Sequence, residues 1–561
     1  MFAKLQVILL TNLFSILLKV NALPVSSGAS SATLSSYLLS FSQRYSGTTT
    51  ASVSFENPFS EGYLGATTTG APPFLAETDD VAAVSGIPTK SYIRPQPIET
   101  SDQSLDYEKN DTNIFELMGS YSPYFISDGW GIYEYSLPDQ CTIKQVQSLT
   151  RHGSRYPTSK FSFDSTLQKA NFTASGNLSF LNTWTDKMGG QILTSLGNQQ
   201  LFDKGVATWF NYGSLANIDS GKKYVARSTS EERMKYSAIY FLTGFYGLDW
   251  ENYANLELLI EEDGFNNTLA PYDSCPNYIK NEDSINSSLA ESWLKTYLTN
   301  ATNRINSQLT GVKLNYTQVF DMQSACAYET NALGYSKFCS LFTQEEWEGY
   351  EYYIDVDWYE TNSFGTNYSK ALGIGWVEEF YNRLTQQSYN PAYQAEQNTT
   401  FDKNVGYFPT DQNLYFDFTH DSVIINIFTA LGLNQFKSNF TGKGPDVDGE
   451  QPFRISKLVP FASQTYFEVI ECESEVPADR SKAYANGTST TSYIHMVVNE
   501  NTIPLNKSIP TCGDRVDGWC EFDTFIDHLE TLWNDDEFDA ICYGSTSSLT
   551  NSTSSSNSTS A

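Results

Sequence analysis

Histidine is scarce in this sequence: four residues among 561, at 152, 420, 495 and 528. A hydrolase built around catalytic metal ions needs a cluster of His, Asp and Asn ligands, and His495 and His528 fall at no ligand-like spacing. They read as structural or surface residues, and no metal and no cofactor is expected. Basic residues are also few, 34 Lys and Arg against 65 Asp and Glu, with no basic run. Nucleic-acid binding rests on cations that neutralise phosphates, so the formal charge of -31 excludes that partner class and disfavours acidic membranes. Long apolar runs are missing as well. Leu5–Leu18 is shorter than the ~20 residues a membrane span requires, and nothing apolar closes the chain as a glycolipid-anchor signal would. The eight cysteines (141, 275, 326, 339, 472, 512, 520, 542) contain no CxxC pair, which argues for disulfides over zinc.

Aromatic residues are abundant, at 14% of the chain, so most of it can fold around a large core. Residues 1–22 read as a signal peptide, with Lys4, a short apolar stretch, and small residues before the end at Ala22. Residues 23–104 form a Ser/Thr-rich leader or spacer, and residues 545–561 a Ser/Thr/Asn-rich tail. Asn-x-Ser/Thr sequons stand at Asn110, Asn171, Asn177, Asn266, Asn286, Asn300, Asn315, Asn367, Asn398, Asn439, Asn486, Asn506, Asn551 and Asn557. A secreted chain carrying N-linked glycans is the expectation, in the medium, the periplasmic space or the cell wall.

Residues 105–544 form the expected catalytic region, in which β-like and helical runs alternate as in an α/β domain. Ile143–Thr150 predicts a strand that runs into Arg151-His152-Gly153. Tyr224–Arg227 predicts a second, with Ser228, Thr229 or Ser230 capping the following helix. Leu414, Phe416 and Phe418 alternate along a third, followed by His420-Asp421 and a buried helix from Val423 to Leu431. Ligands gather beyond the carboxyl ends of strands in open α/β sheets, so these three junctions are expected to converge. Residues 274–397, with helical patterns over Leu289–Leu298 and Gly375–Leu384, suggest a smaller inserted α-helical domain.

Phosphate ester cleavage needs a nucleophile, fixed positive charge and an acid for the departing alcohol. His152 can attack phosphorus as a neutral imidazole, and Arg151, Arg155 and Arg227 can supply permanent, bidentate charge. His420 adds a donor, and Asp421, once protonated, an acid. Lone arginines are usually solvated, and a single His-Asp pair is usually incidental; the run Arg151-His152-Gly153-Ser154-Arg155-Tyr156-Pro157 is far more specific.

Together, LTRHGSRYPT at 149–158 and FTHDSVI at 418–424 resemble the histidine acid phosphatases, most closely their secreted fungal and yeast branch of acid phosphatases and phytases. The resemblance spans most of Cys141–Tyr543 and includes LTSLGNQQLFDKG at 193–205. It implies a phosphoglycerate-mutase-like α/β domain with a helical domain. It also implies His152 as phosphorylated nucleophile, Arg151, Arg155, Arg227 and His420 as phosphate ligands, and Asp421 as proton donor. Disulfides 141–472, 275–542, 326–339 and 512–520 are implied too. Phosphoglycerate mutases share only the RHG element, and multiple inositol polyphosphate phosphatases typically carry His-Ala-Glu where this chain has His420-Asp421.

The expected activity is therefore that of an acid phosphatase on small phosphomonoesters, with phytate as a narrower alternative substrate. A non-catalytic cell-wall glycoprotein is the alternative of another class. Lys160 and Lys169 read as solvated lysines. Cell-wall association and homo-oligomer formation are left open by the sequence.

Overall fold

The computed structural model describes residues 113–281, 285, 287–389, 397–449, 451–480, 489–532 and 538–544. The signal segment, the leader, the tail and the sequons at 110, 286, 486, 551 and 557 lie outside them.

A mixed sheet of eight strands organises the chain. Its strands are β1 (Cys141–Arg151), β2 (Tyr224–Thr229), β3 (Ala254–Leu259), β4 (Leu414–Thr419), β5 (Gln464–Cys472), β6 (Thr491–Val498), β7 (Asn501–Thr502) and β8 (Cys520–Glu521). Their order is β8-β6-β5-β1-β4-β2-β3, with β7 paired to β6. The run β1-β4-β2-β3 is parallel, whereas β5 lies antiparallel to β1. All six residues of β4 and the last seven of β1 are buried, as strands covered on both faces must be. Aromatic packing supplies the cover. On one face, Phe241 and Phe245 of helix α3 (Glu232–Tyr246) meet Phe416 edge to face at 5.1 Å. On the sheet's flank, Phe380 of helix α8 (Asn367–Thr385) lies 4.6 Å from Phe467 of β5.

The other described helices of eight residues or more are α1 (Ser162–Lys169), α2 (Ser195–Tyr212), α4 (Ser288–Tyr297), α5 (Thr299–Ser307), α6 (Tyr316–Leu333), α7 (Gln344–Asn362), α9 (Asp421–Ala430) and α10 (Phe522–Leu532). Capping boxes start two of them: Asn315 with Gln318 at α6, and Thr343 with Glu346 at α7. The helical layer does not coincide with 274–397. The segment 162–182 joins it, through Phe163 against Phe338 at 5.3 Å and through the pairing of Thr173–Ala174 with Leu309–Thr310. Conversely, α8 lies within 274–397 and yet packs on the sheet.

Four disulfides join 141–472, 275–542, 326–339 and 512–520, the pairing the resemblance implies, and no described cysteine is free. Cys141 and Cys472 face each other across β1 and β5. One expectation about local structure needs correcting. Strand β2 continues to Thr229 because it is hydrogen-bonded in register with β3 to that residue, and the helix cap shifts to Glu231. No described helix is long and apolar enough to cross a membrane.

Candidate active site

The parallel strands β1, β4, β2 and β3 release their chains at one edge of the sheet. Register places Arg151 beside Thr419 and Thr229 beside Leu259, so the residues that follow, 152, 420–421, 230–233 and 260–261, emerge together.

His152 lies at the centre of this edge and is 1% exposed. Its Nδ1 is 2.8 Å from the carbonyl oxygen of Gly153. A carbonyl only accepts, so Nδ1 carries the proton and Nε2 keeps its lone pair. Burial pushes the imidazole well below its ordinary pKa, and Arg151, Arg233, Arg155 and His420 push it further the same way. The ring therefore stays neutral, and nucleophilic at Nε2, in mild acid.

The turn after His152 is held from three sides. Gly153 N donates to Ser237 of α3, Ser154 N to Gln200 of α2, and the Ser154 hydroxyl to Asn331 of α6, over 2.8–3.2 Å. Helix α2 begins against this turn, with the Thr194 hydroxyl accepting from Gly197 N as its cap.

Arg151 is fully buried. Its Nη1 donates to the carbonyls of Ser120 (2.5 Å) and Val459 (2.6 Å), its Nη2 forms an ion pair with Asp421, and Phe461 lies 4.5 Å beneath it. Burial lowers this guanidinium to about 10, against the opposing pull of Asp421, and it remains charged in acid. Arg155 reaches Tyr156 O and the Thr158 hydroxyl, and faces the hydroxyl of Tyr328, whose ring lies 5.0 Å from Tyr121. Asp421 opens α9, where one of its oxygens accepts from Ser422 N.

Arg227 is not part of this assembly. It sits two residues before the end of β2, with Nε and Nη2 bonded to Asp417 and Nη2 also to Glu379, at 2.7–2.9 Å. Arg383 and the Trp376 indole bind the same Asp417 carboxylate, so Arg227 belongs to a buried charge network beneath α8. Sequence reasoning assigned it to phosphate because it took the strand to end there.

The third guanidinium near His152 belongs to Arg233, in the first turn of α3, ion-paired with Glu231 and bonded to Gln191. Its signal was present in the run STSEER, since a helix that starts at a strand's carboxyl end directs its first turn toward the ligand crevice. Glu261 was missed too. It follows β3, and both its oxygens approach His420 Nε2, at 3.0 and 3.1 Å. The two histidine rings lie 5.8 Å apart, edge to face.

A shortage of acceptors characterises the site. The Nε atoms of Arg151, Arg155 and Arg233 are buried and have no hydrogen-bond acceptor among the described residues. Buried guanidinium nitrogens are normally satisfied, so three such atoms around one imidazole make a place for an oxygen-rich anion. Glu231, Glu261 and His420 group closely enough to suggest a metal site, but Arg233 and His420 already engage these carboxylates, which makes an ion-pair network. Outside the site, His495 is bonded to Glu468 and Thr502, His528 to Leu431 O, and Lys160 and Lys169 are exposed.

A neutral imidazole surrounded by unsatisfied guanidiniums, with a carboxyl group alongside, is machinery for phosphoryl transfer, and the fold and site together define a phosphoric monoester hydrolase. The family model of the histidine phosphatase superfamily (branch 2) matches residues 142–499, and the chain belongs to that family. Among curated proteins it is 30% identical over 472 residues to Phytase A of Aspergillus oryzae, covering 80% of this chain and 94% of that one. To Phytase A of Emericella nidulans it is 28% identical over 444 residues, covering 74% and 88%. The crystal structure of the phytase from D. castellii superposes with a TM-score of 0.63 at 23% identity, covering 81% of this chain and 93% of that one. The apo multiple inositol polyphosphate phosphatase of Bifidobacterium longum gives 0.51 at 15% identity, covering 73% and 96%.

Proposed function

We propose that this chain is a secreted acid phosphatase that hydrolyses phosphate monoesters through a phosphohistidine on His152. Arg151, Arg155, Arg233 and His420 bind the phosphoryl oxygens, with Arg233 taking the place first given to Arg227. Nε2 of His152 attacks phosphorus, and the departing alkoxide takes the proton of Asp421. The Asp421 carboxylate then removes a proton from water, whose oxygen attacks phosphorus; phosphate leaves, His152 returns to neutrality and Asp421 is protonated again. The observation that carries this reading is the set of unsatisfied Nε atoms around a neutral imidazole.

Phytate as a substrate is favoured by the naming of relatives from two fungal species as phytases. Four disulfides support an oxidising compartment, and exposed sequons at Asn171, Asn177, Asn300, Asn315, Asn367 and Asn439 support glycosylation. The test is phosphate release from an aryl phosphate at about pH 5 in excess chelator, for the wild type and His152→Ala. Turnover that survives chelator and vanishes in the variant supports the mechanism, and phytate is the next substrate. Turnover undiminished in the variant overturns it.

A further inference from the structure

Arg233 stands among the phosphate ligands, yet two of its three side-chain nitrogens are already engaged. Nη2 is ion-paired with Oε2 of Glu231, Nη1 donates to Gln191 at 3.3 Å, and Nε is buried without an acceptor. A guanidinium grips a phosphoryl group best through two parallel N–H bonds, and the fork that includes Nε is completed by Nη2. A carboxylate of the protein itself therefore sits at the second prong. The same Oε2 lies 3.9 Å from Nε2 of His420, in the space between two groups assigned to the phosphoryl oxygens.

The fold makes little use of this side chain. Glu231 is the N-cap of α3, but only its backbone carbonyl serves there, accepting from Met234 N and Lys235 N; its carboxylate makes no capping bond. Oε2 is buried without a well-aligned hydrogen-bond donor, so charge alone holds it, and the side chain as a whole is 30% exposed. Glu261, the other carboxylate of the cluster, is held differently. It accepts from the Tyr272 hydroxyl at 2.6 Å, lies 3.0 Å from His420 Nε2 and is 7% exposed. One carboxylate is built in, and the other can turn out to solvent.

We propose that Glu231 is an internal competitor for the phosphate site: in the empty enzyme its carboxylate takes the place of a phosphoryl oxygen on Arg233, and it yields that place when phosphate binds. The inference rests on the reading of Arg233 as a phosphate ligand. Inorganic phosphate and phosphate monoesters are anions throughout mild acid, whether or not an O–H remains, so a carboxylate at Arg233 opposes both. Glu231 thereby lowers affinity for the reacting group of the substrate and eases release of the product.

Calorimetric titration of the full-length protein with inorganic phosphate, at one fixed pH, tests this without relying on turnover. Glu231→Gln keeps the size of the side chain and removes its charge. The dissociation constant should fall roughly tenfold, and KM for an aryl phosphate should fall with it. Glu231→Ala removes the competitor outright and should shift both in the same direction; either variant serves if the other does not fold. In an Arg233→Ala background, Glu231→Gln should bring little gain, because the donor it would free is gone. Unchanged or weaker binding in the Glu231 variants, with binding also weakened in Arg233→Ala, overturns the inference alone. A gain that persists undiminished without Arg233 overturns it as well, since the carboxylate then acts through net charge and not at that guanidinium. Wild-type phosphate affinity in Arg233→Ala overturns the inference together with the assignment of Arg233.

Discussion

A β-carbon on Gly153 would stand 2.3 Å from the carbonyl oxygen of Gly197, and one on Gly197 would stand 2.1 Å from that of Ser154. The turn carrying the nucleophile and the first turn of α2 are thus in backbone contact, and neither glycine can accept a side chain unless the helix shifts. The glycine of the RHG run is needed for this approach.

Gly197→Ala should therefore lower stability by roughly 2 kcal/mol and reduce kcat disproportionately, because the helix it displaces also holds Ser154 through Gln200. Thermal melting and kcat on the same preparation check this; a variant with wild-type kcat would mean that the turn moves without disturbing His152.

The two arginines near β2 should separate cleanly. Arg233→Ala is expected to reduce kcat/KM roughly a hundredfold with little change in melting temperature. Arg227→Ala removes one of the two guanidiniums bound to the buried Asp417 carboxylate, and with it the ion pair to buried Glu379, and should cost roughly 4 kcal/mol of stability. Paired denaturation and kinetic measurements on both variants decide it.

Stability should decline toward neutral pH. The carboxyls of Glu351 and Asp355 are buried together on α7; burial raises Glu351 from 4.5 to about 7 and also raises Asp355, whose neighbour Glu351 adds to the shift. The folded state holds these protons more tightly than the unfolded one. Their contribution is complete below about 4.5 and is lost as pH climbs through about 7. For Glu351 alone that is on the order of 3 kcal/mol. Urea denaturation at about pH 5 and pH 8 should show the fall, and Asp355→Asn, which keeps the acceptor for Ile455 N, should shrink it by roughly half. Glu351 accepts from Gly119 N and Ser456, beside the segments whose carbonyls hold Arg151, so activity should fall over the same range.

Replacing Cys141 and Cys472 together by serine should cost roughly 2–5 kcal/mol and leave kcat near wild type. The bridge closes β1 at the end opposite His152, which follows the far end of this extended strand, roughly 35 Å away. Melting temperature and kcat on the double variant check both halves.

The sheet was legible where burial is two-sided. Ile143–Thr150 and the alternation Leu414, Phe416, Phe418 predicted strands that the structure bears out within a residue or two, and their junctions with the following chain converge as expected. Charged residues were harder to place. Arg227 and Arg233 lie six positions apart around one junction, and composition does not reveal which points under α8 and which into the crevice; the register of β2 with β3 decides it. Glu261 stands in the run IEEDG, which reads as a solvated acidic loop until β3 is seen to end beside β2. The helical layer was legible as helix but not in extent, because Phe163 joins it from more than a hundred residues upstream of α6.

Strand β1 lies at the middle of the sheet, yet both of its neighbours, β4 and β5, come more than 260 residues later in the chain. During synthesis the strand that leads into the nucleophile therefore stays without its sheet neighbours until residues 414–419 of 561 have been made, and contacts this distant in sequence form slowly. No truncated or nascent chain that stops before β4 holds His152 beside His420 and Asp421. Catalytic competence is thus withheld from the growing chain until residue 421 of 561 has been made.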